Sequence, residues 1–416
     1  PSTHRGVKDI PLQITARDRF DNRVPYDGEL LVEYNGGKFP VRMNNGIAKC
    51  SISAVDGKAS AAAVSDEQTG CRYISNICVP SDDYQLYIGD LHVHDFLSEA
   101  HGYTDKVYDW AVEDRKLDFI SVSIQTHGWI DNEKWAIVKF MNERYLNEGE
   151  FVTLLANEWQ HTAYGDKIVH FLGGDQPYMC VDDERYNSAA KLYEALSKSD
   201  ALVISHHSSY TPGNWCSSTD FDFVETDIDR LIELWSMHGS SEGFDPDDRP
   251  LVEMDRSRTA MEALRRGLRL GFVAGSDTHS GRPGGSAKEP RKYWGGLAAV
   301  WAKSLSRRDI FEALYSRRTY ALTGERIVLK MTVNGVYMGS EIPLCDSAEI
   351  RIDVWGQDKI SKIQLLKGAQ LYREFPAEGK EYHAVINEVI EGPSFFHCRV
   401  VQENGHLAVC SPVWIG

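Results

Sequence analysis

The chain has 416 residues, with 45 basic against 61 acidic side chains and a formal net charge of −16. That length exceeds one ordinary core and calls for two or three domains, and the negative balance repels phosphate backbones and anionic lipid, which excludes nucleic acid as a bulk electrostatic partner. No apolar run reaches the roughly 18 residues that a membrane span needs, and the opening PSTHRGVKDI lacks the apolar core of a signal peptide. A cytoplasmic location is therefore expected, with export left open because the sequence does not begin with Met.

Residues 1–84 read as short alternating segments (PLQITARD, GELLVEYNG, KFPVRM, GIAKCSISAV) separated by Asp-, Asn- and Gly-rich turns, the pattern of a small β-sandwich. Residues 85–326 change texture. There LDFISVSI follows a helical pattern beginning near Thr104, and FVTLLANEW follows DNEKWAIVKFMNERYLNEG, which offers Asp131 or Asn132 as a cap and Gly149 as a stop. ALVISHH follows SAAKLYEALSKSD, and LRLGFVAGSD follows DRSRTAMEALRRG. This alternation predicts an α/β fold with parallel strands and helical crossovers, closed or nearly closed as a barrel. Residues 327–416 return to the first texture (IVLKMTVNG, AEIRIDVWG, FFHCRVVQENG) and are expected to form a second β-sandwich-like domain. The eight cysteines contain no C-x-x-C pair and are read as core thiols, with a disulfide left open should the protein be exported.

Ten of the fourteen histidines lie in the central segment, most of them at or just past a strand end. Singly they mean little; His161 or His101 alone is an ordinary loop residue. As a set they point to chemistry. His92 and His94 (H-x-H), Glu158, His206, and Asp277 with His279 (D-x-H) each follow an apolar strand, and i, i+2 spacing on an extended segment turns both side chains the same way. Imidazoles mixed with carboxylates suit Zn, Mn or Fe, and a carboxylate can be shared between ions.

The succession GDLHVH with SE, LDFISVS with TH, NEW, VISHH and GSDTH resembles the ordered motifs of the polymerase and histidinol phosphatase (PHP) superfamily. A narrower likeness, through YIGDLHVH, NEWQH, MHGSSE, AGSDTHSGRPGG and RRTYALTGERI, reaches to about residue 340 and points to a PHP-like subgroup known mainly as a domain of unknown function. The resemblance implies a distorted (β/α)7 TIM-like barrel flanked by the two β-domains, holding two or three divalent ions. Carried over residue by residue, it implies His92, His94, Glu158, His206, Asp277 and His279 as ligands, with Glu99 where an aspartate is usual. It also implies His170, with Asp166 competing for that place, and either His127 after a two-residue shift or Gln125 in the ungapped position.

The implied reaction is metal-assisted hydrolysis, most of all of a phosphoester, because paired ions lower the pKa of a bridging water and neutralise charge developing on the substrate. Arg282 in SGRPGG is the candidate anchor for an anionic, phosphorylated or sugar-like small molecule, and His207 and His238 are candidate leaving-group acids. Asp90 and Gln125 are candidates for orienting the ligands from behind. Two other readings stand beside this one: lyase or dehydratase chemistry on a sugar-like substrate, and metal or carbohydrate binding without turnover.

Overall fold

Alternating apolar residues build the N-terminal part of the chain into six strands. They are β1 (Asp9–Thr15), β2 (Gly28–Tyr34), β3 (Gly37–Met43), β4 (Ile47–Ser53), β5 (Ala63–Asp66) and β6 (Cys71–Ile74). β1 pairs antiparallel with β4, and a second antiparallel sheet runs β3-β2-β5-β6. The inward residues Ile10, Leu30, Val32, Val41, Met43, Ile52 and Val64 join in one core. Asn35-Gly36 and Asn45-Gly46 turn the chain at positive φ, the backbone that two-residue hairpins between right-twisted strands require. The computed structural model describes residues 9–19, 22–55, 57–80, 83–98, 100–125, 130–211, 217–245, 249, 251, 253–284 and 295–416. The chain divides into two compact units, Pro1–Leu86 and Tyr87–Gly416.

The second unit begins with β7 (Gln85–Val93) and β8 (Phe119–Gln125), followed by β9 (Val152–Thr153), β10 (Leu155–Trp159), β11 (Lys167–Phe171) and β12 (Ala201–Ser205). Next come β13 (Asp229–Glu233), β14 (Trp235–Ser236), β15 (Gly239–Ser240), β16 (Gly271–Val273), β17 (Leu297–Ala302) and β18 (Thr319–Leu322). Five α-helices lie among the described residues: α1 (Thr104–Asp109), α2 (Asn132–Tyr145), α3 (Ala189–Leu196), α4 (Ala260–Arg265) and α5 (Arg307–Tyr315). Four begin where a polar side chain caps them. Asp131 accepts from Lys134 N, Ser188 from Lys191 N, Thr259 from Glu262 N, and Ser306 from Asp309 N, each satisfying a backbone donor that has no partner within its helix. None of the described helices is long and apolar enough to cross a membrane.

The expected (β/α)7 barrel does not form. Such a barrel needs parallel neighbours, each reached through its own helix, whereas here strands dominate and the helices are few and short. β10 pairs antiparallel with β11, β11 with β12, and β17 with β18; β10 reaches β11 through a turn, with no α-helix between them. Parallel pairing among the described residues joins β7 with β8, β8 with β9 and β10, β12 with β13, β13 with β16, and the short β21–β28 pair of the C-terminal region. The result is one mixed 16-stranded sheet, running β16-β13-β12-β11-β10-β8-β7-β17-β18-β27-β26-β23-β24 along its main path.

That sheet also corrects the expected boundary at 326/327. The C-terminal region contributes β19 (Val328–Val333), β20 (Val336–Tyr337), β21 (Glu341–Ile342), β22 (Ser347–Trp355), β23 (Ile360–Lys367) and β24 (Gln370–Pro376). It continues through β25 (Glu381–Val389), β26 (Ser394–Gln402), β27 (Leu407–Cys410) and β28 (Val413–Ile415). β27 hydrogen-bonds to β18, so these strands extend the central sheet, and residues 327–416 share a compact unit with 87–326. A further sheet, β20-β19-β22-β25, belongs to the same unit. Ala321 of β18 packs with Leu366, Leu407, Val409 and Trp414 in a single core, which couples the two regions energetically. No disulfide joins the described cysteines.

Candidate metal centre

Parallel neighbours carry their C-terminal ends to one edge of a sheet, and this edge collects the polar residues. His92 is the last residue but one of β7 and His94 lies just past its end; β8 ends at Gln125, β10 one residue after Glu158, β12 just before His206, β13 at Glu233, and β16 four residues before Asp277. β7 is buried over nearly its whole length, so its histidines have no solvent to turn toward. His92 and His94 are 0% exposed, Glu158 and His206 1%, Asp277 2% and Glu233 3%.

The ring nitrogens converge. His92 Nε2 lies 3.0 Å from His94 Nε2, and Asp277 Oδ1 lies 3.0 Å from His94 Nε2 and 3.5 Å from His92 Nε2. Glu158 Oε2 approaches the same two nitrogens at 3.7 and 3.4 Å. Asp277 Oδ2 faces His206 Nε2 at 3.4 Å and His238 Nε2 at 2.9 Å. Asp277 adopts φ +52, a left-handed backbone that costs a non-glycine residue energy and persists where the surroundings dictate it. Gly275 permits the approach: a Cβ there would sit 2.6 Å from His92 Cβ and 2.7 Å from Glu233 Oε2.

Glu233 is the residue that sequence reasoning missed. Its carboxylate accepts from His92 Nδ1 at 3.3 Å and from His206 Nδ1 at 2.8 Å. A carboxylate has only acceptors to offer, so both rings keep a proton on Nδ1, and it is Nε2 that each ring turns into the cluster, as a lone pair whenever the ring is neutral. The available signal was an acidic residue ending the apolar strand DRLIE, the same placement that singled out Glu158.

Burial opposes charge on His92, yet Asp277, Glu158 and Glu233 outweigh it and hold the imidazole well above its usual range. His206 behaves alike; burial is outweighed by Glu233 and Asp277, and its pKa is pushed up to about 9. Burial would raise Glu158, but the hydrogen bond and charge of His92, with His94 and His206, bring it down to about 2. Asp277 is held well below the carboxylate range because His92, His238 and His206 outweigh its burial. The carboxylates thus demand positive charge, and protons on the imidazoles fill the role that a metal ion would take.

Other candidates take different places. Asp90 is fully buried and accepts from the backbone N of His92 (3.2 Å), Ser276 (2.9 Å) and Gly284 (2.6 Å), tying β7 to the segment just before Asp277 and to the loop that carries Arg282. Burial raises its pKa to about 6 against these donors. Gln125 Nε2 donates to His279 Nε2 at 3.2 Å and reaches His94 Nε2 at 3.5 Å. His279, whose Nδ1 donates to Asp277 O at 3.0 Å, spends its lone pair on that amide and stands outside the converging ligand groups. Arg282 lays its guanidinium over the Trp110 ring, 5.1 Å from the centroid. Glu99 and His127 lie outside the described residues.

His170 is not brought into the centre. It donates from Nε2 to the Leu91 carbonyl at 3.1 Å, and burial lowers its pKa to about 4. The reason is strand direction: β11 runs antiparallel to β10 and β12, so its start meets the site edge while His170 pairs deeper, against Ala156 and Leu202. Asp166, at that start, accepts from His161 N at 3.1 Å and sets Oδ2 3.5 Å from His207 Nε2.

Residues 285–348 match the family described as "Protein of unknown function (DUF3604)". Over 368 residues, 81% of this chain, the sequence is 29% identical to an uncharacterized protein of Chlamydia muridarum. It is 24% identical over the same share to an uncharacterized protein of Chlamydia trachomatis serovar D, and the chain spans 58% of the length of each relative. Among solved structures, the CARDB domain of the PF1109 protein of Pyrococcus furiosus, in complex with di-metal ions, aligns with 22% of this chain and 88% of its own at 14% identity and a TM-score of 0.17. The β-glucuronidase of Bacteroides uniformis aligns with 98% of this chain and 59% of its own at 8% identity and a TM-score of 0.21. Scores this low carry neither fold nor function over to the present chain.

Proposed function

We propose that residues 87–416 form a metal-dependent hydrolase acting on a small anionic substrate, a phosphoester above all. The observation that carries this reading is the convergence of His92 Nε2, His94 Nε2 and Asp277 Oδ1, all buried, with Glu233 fixing the tautomer of His92 from behind. Two imidazole nitrogens 3.0 Å apart beside two ionised carboxylates satisfy one another only by taking up extra protons, and a divalent Mn, Zn or Fe ion fits that donor set in the place of those protons. When bound, such ions supply Lewis acidity and bring the pKa of a water toward neutrality.

The chain's own residues then divide the remaining work. Glu233 and Asp90 hold the ligand strands and rings in place. His238, whose side chain is 26% exposed and whose Nε2 lies against Asp277, is the group able to pass a proton to a leaving oxygen. Arg282, on the loop pinned by Asp90, offers a planar guanidinium to the substrate anion. The motif succession read from the sequence supports the phosphoester class. The test is to chelate the purified chain, restore Mn²⁺, and assay phosphate release from p-nitrophenyl phosphate and bis-p-nitrophenyl phosphate. Metal-dependent release that Asp277→Ala abolishes is the expected result; a fully loaded protein inert toward both esters overturns the phosphoester assignment.

A further inference from the structure

A leaving-group acid must be held in one orientation, and the polar contacts of His238 do not achieve that alone. It lies in the hairpin between β14 and β15, with a side chain 26% exposed. Its backbone N donates to Ser236 Oγ at 3.3 Å, and its Nε2 meets Asp277 Oδ2 at 2.9 Å. Held at the backbone and at Nε2, an imidazole still turns about the line between them, because the torsion at an sp³–sp² bond is broad.

Two rings close off that turn. Tyr210 stands edge-on to His238, with centroids 5.9 Å apart and planes at 84°, and His207 meets His238 at 5.7 Å and 90°. Tyr210 and His207 also touch each other, at 5.4 Å and 61°. Edge-to-face contact is the favoured geometry of ring pairs, so His238 has a wall on two sides. The walls are themselves fixed by backbone. Tyr210 N donates to His207 O at 2.9 Å, and Tyr210 bridges antiparallel to Met254. On either side of it, Asp255 N donates to Ser209 O at 2.7 Å and Thr211 N to Glu253 O at 3.2 Å. His207 takes φ +26, a strained backbone for a residue with a β-carbon, which persists where the surroundings dictate it.

We infer that Tyr210 is the positioning residue for the leaving-group acid: its ring, backed by His207, holds the His238 imidazole where it can protonate the departing oxygen. His207 is 4% exposed and supports the pair from within. In the hydrolysis the water oxygen bonds to phosphorus and the bond to the leaving oxygen breaks. The electron pair left on that oxygen takes the His238 proton, which the proton shed by the water replaces. A strongly basic alkoxide or phenoxide needs that proton as it departs, whereas p-nitrophenolate leaves without it. The held imidazole therefore suits the chain to monoesters of poor leaving groups, such as the phosphate of a sugar hydroxyl. This inference rests on the phosphoesterase reading and on His238 as its acid.

The experiment uses the full chain restored with Mn²⁺ and compares kcat and KM on phenyl phosphate and p-nitrophenyl phosphate, with metal per chain measured for every variant. His238→Ala is expected to lose about 100-fold or more in kcat on phenyl phosphate and far less on p-nitrophenyl phosphate. Tyr210→Ala, and Tyr210→Leu, which fills the space without a ring edge, should repeat that selectivity with a loss of about 10–100-fold in kcat, an unchanged KM and full metal content. Tyr210→Phe keeps the ring and should recover the rate on phenyl phosphate. Equal losses on the two esters, loss of metal, or a Tyr210→Phe as slow as Tyr210→Leu overturns the positioning role while leaving the phosphoesterase reading intact. A His238→Ala that slows both esters alike removes the acid, and the inference with it. A metal-loaded wild type inert toward both esters fails the proposed function itself.

Discussion

The second unit buries two charged assemblies, and they differ in what they leave over. Lys167 and Asp229 have fully buried side chains; the ammonium lies 3.3 and 3.4 Å from the two carboxylate oxygens, and the Tyr193 hydroxyl donates to the same carboxylate. One cation, one anion and one further donor satisfy each other within the chain. The histidine cluster gathers Glu158, Glu233 and Asp277 around imidazoles that carry no obligatory charge, with Asp166 against His207, and it leaves Asp166 Oδ2 without a hydrogen-bond partner. A structural ion pair closes on itself, whereas a ligand site is complete only with its ion.

The contrast breaks most sharply at Asp277. Asp277→Ala removes the carboxylate that meets His94, His206 and His238, and it should abolish metal loading while the far-ultraviolet circular dichroism of the chain persists. An unchanged metal content would dissolve the distinction between the two assemblies. Lys167→Met tests the other side: stranding Asp229 in the interior should cost about 3–5 kcal/mol in urea unfolding, with metal content per folded chain unaltered. Adding Asp229→Leu to Lys167→Met should recover much of that loss, since the pair is self-contained; no recovery would mean that Asp229 serves more than Lys167.

Smaller effects sharpen the comparison. Glu233→Gln keeps the shape but weakens the hold on two imidazoles, and calorimetric titration should find metal affinity lower by about 10–100-fold. His397 is a buried imidazole with no carboxylate beside it: neither ring nitrogen has a hydrogen-bond partner, and burial, with Arg399, depresses its pKa to about 3 from 6.5. Because the folded pKa is depressed, the unfolded chain takes up a proton that the folded one refuses as pH falls below 6.5. Stability should therefore decline by about 1.4 kcal/mol per pH unit from this residue between 6.5 and 3, with no contribution above 6.5. In acid titrations followed by fluorescence, His397→Phe should unfold at lower pH than the wild type; a coincident acid transition refutes the assignment.

Local patterns were well legible. The caps Asp131, Ser188 and Thr259 stand in the helical segments that periodicity marked, and His92, His94, Glu158, His206 and Asp277 meet as strand-end placement predicted. What the pattern could not carry was strand direction. A helix between two strands suggests a parallel crossover, yet α3 joins the antiparallel pair β11 and β12, and α5 joins β17 and β18. That ambiguity produced the barrel expectation, whereas the preference for His170 over Asp166 came from the motif resemblance, and the separation of residues 327–416 from the sheet they complete came from their all-β texture.

The amino-acid sequence by itself determined which residue types end each buried strand, because side-chain period and capping are properties of a few neighbouring residues. Only the tertiary structure decided which ends share an edge. Pairing direction and register depend on backbone hydrogen bonds between segments far apart in the chain, such as β18 with β27 or β11 with β10, and no local pattern encodes them. Glu233 shows the difference in one residue: an ordinary acid at the end of DRLIE, it acquires a role only when the fold sets His92 and His206 on its two oxygens.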